Sequence, residues 1–294
     1  MKGIYVALIT PFDSRGRISL IGFRGLIEYL KKAGIRGFVV NGTTGLFPYL
    51  TLKEREKCIE YVCDLTGKDD EVIACVGHTN YNRVLELVRY CEDKDVKGLL
   101  VPPPYYLRLD EESILSFYRE IRKQTSLKII AYNIPQLTNN PITLNLLSSL
   151  LSEQLVDGVK DTSGAFRDFT KAVTLVGEGK EFSFIIGDDY LTYAALASGG
   201  DAAILGSANF IPELWLRLYR SVASKDFTTA GTLQVKANEA VDAMFIGVFP
   251  SAIYHILKQK GVDCGDPRFP LRSLRKEEKD SIRRILMRGG EWPE

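Results

Sequence analysis

In LVDGVKDTSG, from Leu155 to Gly164, an apolar run ends on a lysine. Leu155, Val156 and Val159 read as a short buried strand, Lys160 stands at its end, and the small polar residues Asp161, Thr162, Ser163 and Gly164 follow at once. Taken alone, a strand-end lysine is a solvated edge charge, because lysine is seldom buried without a partner. Other apolar runs end on comparable groups. NGTTG places Thr43 and Thr44 between Gly42 and Gly45, offering free backbone N–H groups and two hydroxyls that suit a carboxylate or phosphate. On its own this is also a tight turn before a helix, and it lacks the lysine and spacing of a nucleotide P-loop. AYNIP ends a strand on Tyr132, whose default is a locally satisfied hydroxyl. PPPYY holds Tyr105 and Tyr106 on a stiff exit, and IIGDDYL sets Gly187 before Asp188 and Asp189, which could simply cap a helix. In LGSANF, Gly206 and Ser207 leave room.

Together, a lysine, a tyrosine and a hydroxyl-rich anion cradle are what imine chemistry on a 2-oxo acid needs. The amine must attack the ketone, so the lysine must be at least partly desolvated or otherwise tuned to be neutral. The iminium then withdraws electrons from the neighbouring carbon and stabilises the carbanion left when a C–C bond breaks. Tyr132 can shuttle the proton of the sugar oxygen, and Thr43 and Thr44 can hold the carboxylate.

These groups work together only if the strand ends share one rim. The strands read at 4–9, 37–41, 72–76, 98–102, 128–132, 157–160, 182–186 and 202–205, with helical patterns between them. One helix spans 20–33, with Leu26, Ile27 and Leu30 on one face; another at 51–65 opens on Thr51 with Glu54 three residues on, a capping-box signature. Strands apolar on both faces and alternating with helices imply a parallel sheet covered by helices. Eight such units predict a closed (β/α)8 TIM barrel over residues 1–224, whose chemistry would sit at the C-terminal strand ends. An open doubly wound sheet is the alternative, but Thr10-Pro11-Phe12 stands where a G-x-G-x-x-G turn would follow the first strand. Helical patterns at 226–245, 250–260 and 275–288 predict a C-terminal helical extension, 225–294, packed on the barrel.

Composition excludes other classes. With 294 residues, 45% hydrophobic and 26% charged, the chain is an ordinary globular protein, and a net charge of +1 without a basic block leaves a nucleic-acid partner no footprint. No apolar stretch reaches the ~20 residues of a membrane helix, and MKGIYVALITPFD reads as a buried strand rather than a leader. Five cysteines without a C-x-x-C pair suggest reduced thiols and a cytoplasmic protein. Two histidines, His78 and His255, cannot build a three-histidine zinc site, and no carboxylate cluster favours another metal. Neither a metal nor any other cofactor is expected; His78 reads as a satisfied loop histidine and His255 has no assigned role.

GTTG, PPYY, YNIP, GVKD and GDD occur in the order and spacing of the dihydrodipicolinate synthase/N-acetylneuraminate lyase family, and the chain resembles that family along essentially its whole length. The resemblance implies a TIM barrel, usually a homotetramer, acting on pyruvate or a pyruvate-derived sugar acid through a Schiff base. It implies Lys160 as the imine-forming lysine, Tyr132 as the proton-relay tyrosine, Thr43 and Thr44 as the carboxylate-binding and relay hydroxyls with Thr44 counted as catalytic, and Gly45 beside the substrate. Tyr106 matches a tyrosine that members lend to a neighbouring subunit. Two departures bear on the substrate. Dihydrodipicolinate synthases typically read G-T-T-G-E and carry an arginine two residues after the proline of Y-N-x-P; Leu46 and Leu137 stand here. Sialic acid lyases can share the second leucine but keep the glutamate. The segments around Thr43 and Tyr132 look most similar to archaeal 2-keto-3-deoxygluconate aldolases, in which residues matching Thr162, Gly187 and Asp189 bind sugar hydroxyls. Arg108 could meet a phosphate, but AMFIGVFP supplies no second basic group, which points to the unphosphorylated substrate. The expected activity is therefore class I cleavage of 2-keto-3-deoxygluconate to pyruvate and glyceraldehyde. The alternatives are another pyruvate-dependent lyase or synthase of the family, a metal-dependent aldolase, and a non-catalytic barrel that binds a 2-oxo acid.

Overall fold

A computed structural model of the chain describes residues 1–176 and 181–290. Its eight strands are β1 (Gly3–Ala7), β2 (Gly37–Val40), β3 (Glu71–Cys75), β4 (Gly98–Val101), β5 (Lys128–Asn133), β6 (Gly158–Asp161), β7 (Ser183–Ile186) and β8 (Ala202–Leu205). They form a closed parallel barrel in sequence order, with β8 paired to β1. The expected TIM barrel is thus the fold. Alternate residues explain why the strands read as apolar on both faces. Tyr5, Ala7, Ile73, Cys75, Ile130 and Tyr132 pack together inside the barrel, whereas Ile4, Val6, Val72, Ala74, Ile129 and Ala131 join the shell under the helices.

Strand ends differ from the sequence reading for local reasons. β1 stops at Ala7 rather than at 9, because the Ile9 N–H leaves the ladder and donates to Asn209 Oδ1 at 3.2 Å. β5 and β6 each run one residue further than expected: Asn133 pairs with Asp161, and Asn133 Nδ2 donates to Asp161 Oδ2 at 2.7 Å. Tyr132 and Lys160 are therefore penultimate, and their strands stay rigid past them.

The helix Leu20–Ala33 is capped by Ser19, and Leu52–Leu65 starts on the expected Thr51–Glu54 capping box. Phe23, Leu26, Ile27 and Leu30 form the buried face of the first, a stripe at helical spacing. After the last barrel helix, Pro212–Ala223, come Phe227–Met244, Ser251–Gln259 and Lys276–Gly289, close to the three expected segments; 291–294 lie outside the described residues. The Tyr254 hydroxyl donates to Thr10 O at 2.7 Å, and Arg268 reaches Glu54 at 2.5 Å, tying these helices to the barrel mouth.

Asp70, just before β3, accepts from Lys31 Nζ at 2.6 Å and from the Gly67 N–H at 2.8 Å, with Arg36 at 3.4 Å. Burial alone would push its carboxyl up; the Lys31 bond, the Gly67 N–H and the two cations outweigh that and hold it below the usual range. A depressed carboxyl adds stability above its unfolded pKa and loses it as pH falls through the folded value. Asp70→Asn is expected to lower stability by about 1–2 kcal/mol at neutral pH. Urea midpoints of variant and wild type should draw together as pH falls below the usual carboxylate range and through the depressed folded value, where the wild-type carboxyl becomes neutral.

Candidate active site

Lys160 and Tyr132 are direct partners in the β5–β6 register, and Ile185 of β7 faces Lys160 from the other side. The shared pleat points both side chains into the barrel at its C-terminal end. Lys160 is only 5% exposed, and its Nζ lies 4.1 Å from the centroid of the Tyr132 ring. No carboxylate of the described residues forms an ion pair with it. The Tyr132 hydroxyl is 3.4 Å from Thr43 Oγ1, so the tyrosine whose ring lies under the amine also contacts the turn after β2. A desolvated amine beside a hydroxyl relay is the arrangement that imine chemistry uses.

The Gly42–Gly45 turn is seated against β1. Thr10 Oγ1 donates to Gly45 O at 2.6 Å, and a Cβ on Gly45 would come 3.0 Å from Leu8 O. Thr44 is buried, on the side of the turn that faces Gly206. Leu46, with φ +60°, reverses the chain into a short 3-10 turn, Phe47–Tyr49.

Gly187 has no Cβ where one could not fit: the atom would stand 2.4 Å from Lys160 Cε and 2.2 Å from Thr162 Oγ1. Lys160 and Thr162 thus meet at the Gly187 backbone. Thr162 Oγ1 is buried and has no hydrogen-bond partner among the described residues, which is uncommon for a buried hydroxyl. Asp189 differs. Its Oδ1 accepts from the Ser207 N–H at 3.0 Å and from the Ser207 hydroxyl, which in turn accepts from Trp215 Nε1 at 2.8 Å. Burial pushes the Asp189 carboxyl up, against the lowering effect of the Ser207 bonds. Asp189 locks the turn after β8, and Ser207 fills that corner rather than leaving room. Asp188 caps the following turn through the Tyr190 N–H.

Tyr106 stands apart: it is 85% exposed, at φ +83°, on the loop after β4. Its neighbour Tyr105 instead packs edge-on against Phe47 at 5.8 Å, and burial raises its phenol pKa. Tyr105, Phe47, Thr43, Tyr132, Ile134 and Leu137 share a cavity of about 510 Å³, completed by Val248, Phe249 and Leu271 from the C-terminal segment. No cationic residue lines it. The sequence reading missed this apolar wall. Its one signal was the i, i+4 pair Phe245 and Phe249, whose rings stack at 5.5 Å and continue to Tyr190 at 6.5 Å. Among the described residues no cluster of three His, Cys, Asp or Glu could hold a metal, and no helix is long and apolar enough to cross a membrane.

Residues 1–288 match the model of the dihydrodipicolinate synthetase family. The chain is 28% identical over 285 residues to a 4-hydroxy-tetrahydrodipicolinate synthase of Methanothrix thermoacetophila, covering 97% of this chain and 96% of the relative. It is 32% identical over 269 residues to the 2-dehydro-3-deoxy-D-gluconate/2-dehydro-3-deoxy-phosphogluconate aldolase of Picrophilus torridus, covering 90% and 97%. A solved catalytic-lysine mutant of the sialic acid aldolase of Ruminococcus gnavus superposes with a TM-score of 0.93 at 28% identity, covering 99% and 96%. The chain belongs to the dihydrodipicolinate synthetase family and is a pyruvate-dependent lyase or synthase of the Schiff-base, class I type.

Proposed function

We propose that Lys160 forms the imine with pyruvate and that the reaction is the reversible cleavage of 2-keto-3-deoxygluconate to pyruvate and glyceraldehyde. The observation that carries the imine is the buried amine over the ring of Tyr132, whose hydroxyl contacts Thr43. In the cleavage direction the Lys160 nitrogen attacks the C2 ketone, and water leaves as the iminium forms. Tyr132 takes the proton from the C4 hydroxyl as the C3–C4 bond breaks, the electron pair passes into the iminium as an enamine, and glyceraldehyde departs. The enamine is then protonated at C3, and water returns pyruvate and the free amine. Thr43, Thr44 and the Gly45 backbone hold the carboxylate throughout, in a geometry set by the turn's seat on β1. The solved sialic acid aldolase, whose structure is that of a catalytic-lysine mutant, supports a lysine in this role.

For the aldehyde, support comes from the unpaired Thr162 hydroxyl beside Lys160, a partner for a substrate hydroxyl, and from Leu137 and the cavity's lack of a cation for a second carboxylate. Synthase names predominate among the relatives and weigh toward 4-hydroxy-tetrahydrodipicolinate synthesis, which is the second reading. Asp189 is proposed to act through the Gly206–Ser207 turn rather than on the sugar directly. Homotetramer formation is part of the same proposal, with exposed Tyr106 and Leu107 reaching a neighbouring copy, and residues 225–294 serving as an extension that walls the mouth of a 1–224 barrel.

Initial rates of pyruvate condensation with glyceraldehyde and with aspartate semialdehyde separate the two readings. Glyceraldehyde is expected to react faster; the reverse order would replace the sugar-acid reading with the synthase. Thr162→Val is expected to lower kcat/KM for glyceraldehyde by about tenfold, the effect of one lost hydrogen bond, while leaving the pyruvate imine trappable by borohydride.

A further inference from the structure

Arg55 is one of the largest fully buried side chains, 1% exposed, in the first turn of the helix Leu52–Leu65. Its guanidinium donates to Cys75 O at 2.7 Å and Gly77 O at 2.8 Å, the carbonyls at the end of β3, and lies 5.1 Å from the centroid of the Phe47 ring. Its Nε has no partner. No carboxylate of the described residues pairs with it; burial lowers its pKa, and a guanidinium stays charged in proteins. A buried cation without a counter-ion is strongly destabilising, so holding two carbonyls does not explain it: a neutral donor would do that. What a neutral donor would not supply is a field.

The surroundings show where that field acts. Phe47 follows the Gly42–Gly45 turn and shares the cavity with Thr43 and Tyr132. Asn41, which leads into the turn at φ +58°, donates its Nδ2 to Arg55 O at 3.0 Å. The guanidinium therefore sits behind Phe47, which lines the cavity beside Thr43, with the β3 carbonyls as its hydrogen-bond partners and the Cys58, Cys75 and Cys91 thiols and the Tyr105 phenol near enough to interact with its charge. We infer that Arg55 is a positioning residue for the anionic end of the 2-oxo acid, drawing the carboxylate onto the Thr43–Thr44 turn without touching it. In a dry interior such a charge acts over several ångströms and is poorly screened by salt. The inference rests on the proposed imine at Lys160.

The test compares borohydride trapping of pyruvate with that of pyruvamide, the same ketone without the charge. In Arg55→Met the pyruvate-to-pyruvamide ratio of trapping rates is expected to fall about tenfold below the wild-type ratio. In Arg55→Lys, assayed at a pH low enough to keep a buried ammonium charged, the ratio should stay clearly above that of Arg55→Met. An equal fall of both ketones in Arg55→Met would make Arg55 a structural tie only and overturn the inference. So would a ratio that falls as far in Arg55→Lys as in Arg55→Met. Should the methionine variant fail to fold, the wild type decides. Its ratio is expected to hold within about twofold between low and high salt; a collapse at high salt would assign the preference to surface cations and overturn the inference. Absence of any pyruvate adduct in folded wild type is a different result: it removes the imine reading itself.

Discussion

Lys160→Ala is expected to fold and to show no measurable turnover, a loss of about 10⁵ or more in kcat, the scale seen when a covalent nucleophile is deleted. The wild type, treated with borohydride and pyruvate, should gain a single stable adduct that maps to Lys160; the variant should gain none. Structure and chemistry separate cleanly at this residue. The Lys160 side chain has no ion pair to lose, so its removal leaves no buried carboxylate stranded. The stem packs against Tyr132 and the Gly187 backbone, and its truncation opens a small space where a desolvated amine had been. The two changes oppose one another, and the net stability difference is expected to stay within about 1 kcal/mol. A folded alanine variant with wild-type-like turnover would sink the imine assignment. A wild-type adduct on another lysine would move it.

The barrel was legible because both faces of every strand are apolar for different reasons, one packing inside and one under helices. That pattern survives in sequence as short Val/Ile/Leu-rich runs between helical stripes. The placing of Lys160 beside Tyr132 was legible only through the barrel, because register between neighbouring parallel strands brings together residues that are 28 apart in the chain. What escaped was side-chain direction beyond the strands. Tyr105 and Tyr106 are neighbours with the same side chain, and a positive φ at Tyr106 sends one out while the other lines the cavity. Asp189 could be read as a sugar ligand or a cap, but its bond to Ser207 joins two strand ends that no local pattern links. Arg55 was not singled out, because nothing in its local sequence distinguishes it from an exposed helix charge. Its burial follows from where the β3 carbonyls lie, a fact of tertiary geometry alone.

Gly187→Ala is expected to damage catalysis severely through a single methyl group. Gly187 does not adopt a left-handed φ, so alanine meets no backbone penalty there; the conflict is one of space. The new Cβ would stand 2.4 Å from Lys160 Cε, 2.2 Å from Thr162 Oγ1 and 3.3 Å from Asp161 O. The carbonyl belongs to the β6 ladder, which accepts the Gly187 N–H at 2.7 Å and cannot retreat without breaking that bond. The lysine stem must therefore swing, and with it Nζ leaves its place over the Tyr132 ring. A displacement of about 1 Å in a reacting group lowers rate by roughly 10², and overpacking adds a stability loss of about 1–3 kcal/mol. Trapping and turnover should fall together, because the misplaced atom is the nucleophile. Gly206→Ala is the control: its nearest neighbour is Met244 Sδ at 3.2 Å, on a flexible side chain that can move aside, so a loss of no more than about tenfold is expected. If Gly187→Ala kept wild-type kcat/KM while Gly206→Ala lost it, the amine would have room it does not have in this structure, and the reacting carbon would lie nearer β8 than β6.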